Sequence, residues 1–437
     1  MDFLSRNKLS LKALIVGLLI ATTPIASIQA SETGAAINEQ SLCRSQTKHS
    51  KTAWRFRKIS STMENPDYRR SGPQETYHRV WKLVHDNFYD QSFNGQTFSN
   101  WEYCFDNEIH SYSDAYRDLA LMLDSLKDPY THIVSGPAFQ YEQDSIHAKL
   151  QMVGIGITIL PRGNRTVVVS TLDNSPAVKE GVQKGDEIVC IDGTSCLGFT
   201  QEKIIEKIHG ELGTAVDLVV HRDAGIEKTF HLIRAKITLR PVSYKILEAK
   251  IGYIKLSSFM PMNTSSEFCV ALEALSATDG LIIDLRDNPG GLVSNALEIA
   301  DMLLNGGAIV ETIGRDGLSV ERASGYPIAG QVPLVVLVNE DSASASELLA
   351  GALKDNKRAI VIGCQTFGKG CVQQIFKLAD GNSSLHITVS SFQSPSQIKI
   401  NNVGITPDIN VSDKKLQDEA AVAYLVEYLK QKTLALR

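Results

Sequence analysis

The sequence predicts an α/β core of buried strands, preceded by a helical region and by a separate β-rich domain. Three observations carry this. From Ile251 onward, continuous apolar stretches (IGYIKL, GLIIDL, VPLVVLV, AIVIG) alternate with helical ones, the pattern of strands covered on both faces. Between Gln151 and Lys236, short runs rich in Val, Ile and Thr follow one another closely. Before them, residues 74–126 carry apolar and aromatic side chains at helical spacing. The chain therefore divides into a leader at 1–30, a lead-in and helical region at 31–140, a β-rich domain at 146–238, an α/β core at 239–413 and a terminal helix at 414–437.

In chain order, MDFLSRNKLSLK supplies three positive charges and ALIVGLLIA a short apolar run. TTPIASIQA then ends in small residues, so the stretch reads as a secretory signal peptide cut after Ala30. A retained membrane anchor is the other reading, but the apolar run is short for a bilayer. Residues 31–70 are polar and weakly patterned. ETYHRVWKLVHDNFYD and SDAYRDLALMLDSL predict two helices, with Trp81, Phe88 and Tyr89 as core. QMVGIGITIL, RTVVVSTL, DEIVCIDG, AVDLVVHR and EKTFHLIRAKI predict strands, interrupted by SPAVKEGVQKG and a helical TQEKIIEKIHGEL. In the core the helices are SSEFCVALEAL, LVSNALEIADMLL and SELLAGALKD, and KLQDEAAVAYLVEYLKQ closes the chain.

At 437 residues, with 43% apolar and 21% charged residues, the composition is that of an ordinary globular protein. The net charge is −5 and no basic stripe tracks a phosphate backbone, so nucleic acid is not an expected partner. Export into an oxidising compartment makes disulfides an expectation for seven cysteines. Proximity suggests Cys43 with Cys104, Cys190 with Cys196 and Cys364 with Cys371, leaving Cys269 as a buried thiol.

Two loops after core strands have the composition of a reaction site. DNPGG places Gly290 and Gly291 where backbone N–H groups can approach a ligand. NEDSASAS places Ser342, Ser344 and Ser346 at a helix N-terminus, which favours a developing negative charge. Ser344 and Glu347 also fit a capping box. A serine nucleophile needs a base, and none of the ten histidines lies in a comparable loop; His386 alternates like a strand residue and reads as structural. Lys369, between two glycines in QTFGKG, is the remaining candidate, since burial lowers a lysine pKa from its ordinary value of about 10.4. There is no GxSxG elbow, no HExxH and no zinc-spaced Cys/His cluster, so no metal and no cofactor are expected. Spacing alone does not choose among the three serines.

GLIIDLRDNPGGL, VVLVNEDSASASELLAGALKD and GCQTFGKGCVQQ resemble, in order and separation, the motifs of the carboxyl-terminal processing (tail-specific) proteases. WKLVHDNFYD with LMLDSLKDPYTH is similar to that family's N-terminal region. VGIGITI through SPAVKEGVQKGDEIVCIDG resembles its embedded PDZ domain, and VGITPDINV its C-terminal signature. The resemblance implies a ClpP/crotonase-like core with an inserted PDZ domain. It implies Ser344 as nucleophile, Lys369 as base, Gln373 as an ordering partner, and the N–H groups of Gly290 and Ala345 as oxyanion hole. Ser342 and Ser346 then cap and pack, and Asp355 is structural. Gly154, Ile155, Gly156 and Ile157 would capture a peptide's terminal carboxylate, the tail adding as a strand. The expected partners are protein or peptide substrates with exposed apolar C-termini. An adaptor protein and a homo-oligomer are candidate partners, and the place of action is periplasmic or otherwise extracytoplasmic, soluble once the leader is removed.

Three departures from the family pattern stand out. Asp341 replaces a usual glycine three residues before Ser344, where it could hold the lysine charged. SPSQIKINN replaces a PSGR-type turn. Cys364 and Cys371 are unusual, and a bond between them would brace the lysine loop. The rival reading is a non-catalytic PDZ module that binds C-termini; a crotonase-like acyl-CoA enzyme lacks a phosphate-binding feature.

Overall fold

The computed structural model describes residues 72–147, 151–222, 225–238, 240–378 and 380–435. The expected leader, the lead-in to residue 71 and Cys43 lie outside the described residues.

Helix α1 (Pro73–Asn87) starts with a proline, whose fixed φ and missing N–H suit a first turn. It buries Tyr77, Val80, Trp81 and Val84 on one stripe. Helix α2 (Tyr112–Asp124) is closed by a capping box between Ser111 and Asp114. Strand β1 (His132–Ser135) and helix α3 (Gly136–Ile146) follow.

The β-rich insert comprises β2 (Gln151–Gly154), β3 (Ile157–Arg162), β4 (Arg165–Thr171), α4 (Pro176–Glu180), β5 (Glu187–Ile191) and β6 (Thr194–Ser195). It continues with α5 (Gln201–Ile208), β7 (Ala215–Arg222), β8 (Ile226–Ile233) and β9 (Ala235–Thr238). Strands β2 and β9 pair antiparallel as a stem through which the chain enters and leaves. The sheet runs β3-β4-β5-β7-β8, with β6 beside β5 and β3 at an edge. Along β7, Val216, Leu218 and Val220 alternate inward onto Ile191, Ile204 and Leu232.

The core is built from β10 (Val242–Leu247), β11 (Ile251–Leu256), α6 (Thr264–Ala274), β12 (Gly280–Asp284) and α7 (Val293–Leu303). Then come β13 (Ala308–Gly314), β14 (Gly317–Arg322), β15 (Leu334–Val338), α8 (Ala345–Asp355) and β16 (Ala359–Gly363). The last elements are β17 (Cys371–Lys377), β18 (Ser383–Gln393), β19 (Ile409–Asn410) and α9 (Lys414–Ala435). The main sheet is ordered β10-β11-β12-β15-β16-β19, all parallel except β10. Ile254, Ile283, Val336 and Val361 face α6, α7 and α8, while Ile251, Ile282, Val335 and Ile362 face α9. Both faces are covered, which is why these strands read as unbroken apolar runs.

A second, antiparallel sheet is not accounted for by the alternation in the sequence. In it β18 pairs with β1, β13 and β17, and β14 adds outside β13. Helices α1 and α2 pack on this sheet through Leu385 and Ile387. Strand β14 has no fully buried residue, so it carries no apolar run to announce it.

The two local disulfides expected in this part of the chain are absent. Cys190 pairs across strands with Ser195, so the next residue, Cys196, points to the opposite face and is buried in the insert's core. Cys364 turns toward Glu340, its Sγ 3.2 Å from Oε2, whereas buried Cys371 accepts from Gln373 Nε2 at 3.0 Å. Burial pushes the thiols of Cys196, Cys364 and Cys371 up to about 11. Cys104 is an exposed thiol whose expected partner, Cys43, is outside the described residues. Cys269 is the buried thiol expected.

Candidate active site

Three loops at the carboxyl ends of β12, β15 and β16 meet here. The first is set by Arg286, which is buried and forked onto Asp284 at 2.8 Å through both Nε and Nη2, with Nη2 also 2.6 Å from Asp418. Burial works against the charge of Asp284, but Arg286 overrides it and holds the carboxyl down at about 2. Asn288 then reaches Leu256 O with its amide, and Gly290 arrives at φ 99°.

The second loop is riveted to the first by the two flanking serines. Ser342 Oγ donates to Leu285 O and Ser346 Oγ to Asn288 O, each at 2.9 Å, and Ala343 N–H donates to Asn288 O at 3.0 Å. Ser344 is thereby forced to φ 53°, ψ −111° at the start of α8. Such a conformation costs a non-glycine residue about 1–3 kcal/mol and persists only where the surroundings over-determine it. A Cβ on Gly290 would lie 2.9 Å from Ser344 Cβ and 2.7 Å from Ala343 O, so glycine alone fits. Ala345 N, 3.0 Å from that same point, belongs to the first turn of α8, whose N–H groups have no acceptor within the helix. Gly290 N–H donates to Asn288 Oδ1 at 2.9 Å, so in this arrangement it is not open toward the cleft.

The third loop carries Lys369 between Gly368, at φ 92°, and Gly370, whose missing side chain admits Asn401. Asn402 N–H donates to Gly368 O, so the INN stretch that departs from the family pattern supports this loop directly. The Lys369 ammonium sits over the Tyr130 ring, 4.7 Å from its centroid. Burial drives its pKa below the ordinary lysine value, against opposing pulls from Cys371, Glu202, Asp128 and Glu347. Among the described residues no hydrogen bond joins Lys369 Nζ to Ser344 Oγ.

What joins these two loops is Glu347. Its Oε2 accepts the backbone N–H of Ser344 and of Lys369, both at 2.8 Å, while Oε1 accepts Thr366 Oγ1 at 2.6 Å and Gly368 N–H at 2.7 Å. Burial raises the pKa of this carboxyl, and the four donors pull the other way. The capping box legible in the sequence thus has a second use that it did not announce, because the far loop is twenty residues on.

A cleft of about 2110 Å³ is lined by Gly290, Ser344, Lys369, Gln373 and Tyr130 together with Gly154, Ile155, Gly156 and Ile157 of the insert. The structure therefore brings the expected reaction site and the expected tail site to one opening. Gly156, at φ 79°, packs on Ser175, where a Cβ would lie 2.2 Å from Ser175 Cβ. Helix α5 flanks edge strand β3, with Ile205 and Ile208 in the cleft wall and Gln201 Nε2 3.1 Å from Ile159 O. His132 on β1 pairs with Glu202 of α5 at 3.3 Å, and His386 with Glu142 at 2.7 Å, all four in the cleft lining. Asp355 accepts from Ser396 N–H at 2.8 Å.

Asp341 has its ion-pair partners in the insert. It is buried, and it pairs with Arg162 and Lys184 of the insert at 2.5 Å each.

Residues 250–411 match the family model described as peptidase family S41. The chain is 37% identical over 361 residues to carboxyl-terminal-processing peptidase 3, chloroplastic, of Arabidopsis thaliana, covering 77% of this chain and 68% of that one. The chain belongs to peptidase family S41. A carboxyl-terminal-processing protease of Synechocystis sp. is 34% identical over 339 residues, 75% of this chain and 78% of its own. The solved structure of a photosystem II D1 C-terminal processing protease matches with a TM-score of 0.68 at 31% identity, over 78% of this chain and 94% of that one. This S41 member is a serine-type peptidase of the carboxyl-terminal processing group. No described helix is long and apolar enough to cross a membrane.

Proposed function

We propose that this S41 peptidase is an exported endopeptidase that takes hold of apolar C-terminal tails with its insert, acting as a PDZ domain, and cleaves by a Ser344–Lys369 dyad. The observation that carries the dyad is Glu347 Oε2, which holds the backbone N–H of both residues at 2.8 Å and so fixes one loop against the other. In the reaction the amine of Lys369, favoured as neutral by burial, leaves the Tyr130 ring and takes the Ser344 proton as Oγ attacks the scissile carbonyl. The carbonyl oxygen becomes an oxyanion facing Ala345 N–H and the positive end of α8, with Gly290 N–H exchanging Asn288 Oδ1 for it. Lysine returns the proton to the leaving amine, an acyl-enzyme forms, and a water activated by the same lysine releases it. The tail adds beside edge strand β3, its carboxylate at the Gly154–Ile157 turn and its apolar side chain toward Ile205 and Ile208. Envelope or periplasmic proteins are the proposed substrates.

The test is cleavage of an unfolded protein ending in an apolar tail, with fragments followed by mass spectrometry. Ser344→Ala and Lys369→Ala should each abolish cleavage, and amidation of the tail should weaken it. Cleavage that survives Ser344→Ala refutes the dyad. Tail binding by a wild-type protein that cleaves nothing would favour the binding-module reading.

A further inference from the structure

Two cations of the insert reach all three loops of the site. Lys184, in the turn before β5, lies 2.6 Å from Asp287 Oδ1, 2.5 Å from Asp341 Oδ2 and 3.4 Å from Glu340 Oε1. Arg162, the last residue of β3, donates through Nη2 to Asp341 Oδ1 at 2.5 Å and to Glu340 O at 2.8 Å, and its guanidinium lies over the Phe367 ring at 4.9 Å. Asp287 stands three residues before Gly290, Asp341 three before Ser344, and Phe367 two before Lys369.

We infer that Arg162 and Lys184 are positioning residues for the peptidase reaction, acting through Asp341 and Asp287 on the nucleophile and oxyanion loops. The inference rests on the dyad reading above. Asp341 is only 3% exposed, and among the described residues both its cationic partners come from the insert. A buried carboxylate without a partner is strongly disfavoured, so the loop holds its form only while the insert is seated. Burial opposes the charge on Lys184, yet its bonds to Asp287 and Asp341 hold the ammonium above its ordinary range, as they hold Asp287 below its own. The cation's own turn is rigid: Asp186, two residues on, accepts Gln183 N–H and is forked by Arg222 at 2.6 Å. Arg162 also ends the strand proposed to receive the tail, so the tail site and the nucleophile loop share one element.

The experiment compares Asp341→Asn, the double variant Arg162→Met/Lys184→Met, all three changes together, and Lys184→Arg. A tailed peptide gives kcat and KM, and an active-site fluorophosphonate gives the labelling rate of Ser344. The expected result is a fall of about tenfold or more in kcat and labelling for Asp341→Asn and for the double variant, with KM within about threefold of wild type. The combined variant should be no worse than about threefold beyond the double one, because the changes remove one interaction. Lys184→Arg should restore most of the rate. In a Ser344→Ala background, hydrogen exchange at residues 339–346 should quicken in Asp341→Asn. Wild-type kcat in Asp341→Asn, a loss confined to KM, or fully multiplicative effects would overturn the inference. If the dyad reading itself fails, Ser344→Ala still cleaves; unchanged exchange at 339–346 then overturns the clamp independently.

Discussion

Replacing Glu347 with glutamine keeps the shape of the side chain and removes its charge, so it tests the joint between the two loops. A carboxylate accepts four hydrogen bonds here, two on each oxygen. An amide accepts on one oxygen only. It will settle with that oxygen toward Ser344 N–H and Lys369 N–H, because the other side offers Thr366 Oγ1, which can accept from the new NH₂ group. Gly368 N–H, having no such freedom, loses its acceptor, and an unsatisfied buried donor costs about 1–3 kcal/mol. The bonds to Ser344 and Lys369 become neutral rather than charge-assisted, which weakens them by about 1 kcal/mol each. Against this, the burial that raises the Glu347 pKa no longer opposes a charge, which offsets part of the loss. The loss before that offset is about 3–5 kcal/mol, concentrated at the loop that carries Lys369. Urea unfolding reads the stability and cleavage of a tailed peptide reads kcat. A kcat at least about tenfold below wild type is expected, since each 1.36 kcal/mol that the loosened loop adds to the barrier costs tenfold. Glu347→Gln with wild-type kcat and an unchanged unfolding midpoint would refute the reasoning.

Four further outcomes follow from the same geometry. Because burial lowers the Lys369 pKa and its neutral amine is the proposed base, kcat/KM should rise with pH through a midpoint below the ordinary lysine value of about 10.4; a midpoint at or above it counts against the dyad. Gly290→Ala should fold, by circular dichroism, yet lose about 100-fold or more in kcat, since its Cβ would press on Ser344 Cβ and Ala343 O at a φ that side chains avoid. Gly156→Ala should abolish tail binding measured by fluorescence anisotropy while leaving fluorophosphonate labelling of Ser344 intact. Cys364→Ser and Cys371→Ser should each avoid the loss of about 2–5 kcal/mol that follows removal of a native disulfide, and reductant should leave activity unchanged.

The parts of this molecule legible in the sequence are those whose cause is local. Strands β11, β12, β15 and β16 announce themselves because sheet and helices cover both faces, which demands unbroken apolar runs. Helix α8 announces itself through Ser344 and Glu347, three residues apart. The hairpin of β13 and β14 is different: its outer strand is wet, so its residues carry no burial signal, and its partner β18 lies some seventy residues away. Of the cysteine pairs, Cys190 with Cys196 failed for a related reason. Closeness in sequence is blind to the two-residue alternation that turns Cys196 away from Cys190. Arg162, Lys184 and Tyr130 were equally hidden, because each meets the site only after the insert and N-terminal region have packed; the one hint was Asp341, an acid where the family has glycine.

That acid bears on how a lysine can serve as base beside so many carboxylates. A negative group close to Lys369 would stabilise its ammonium and switch the base off. Three such groups, Asp287, Glu340 and Asp341, crowd the nucleophile and oxyanion loops, and each is within ion-pair reach of Lys184. Glu347 bonds directly to Ser344 and Lys369, yet its charge faces four donors, two of them the backbone N–H groups of those residues. The three acids of these loops thus have cations of the insert as partners, and burial is the dominant influence on the Lys369 amine, ahead of the pulls from Cys371, Glu202, Asp128 and Glu347. On this argument the insert does more than the tail binding proposed for it. Its cations remove negative charge from the loops, so a protein lacking Arg162 and Lys184 should show a midpoint for kcat/KM shifted to higher pH as well as a lower kcat. The pH profile of Arg162→Met/Lys184→Met decides it: a lower kcat with an unmoved midpoint would mean that the clamp acts by geometry alone.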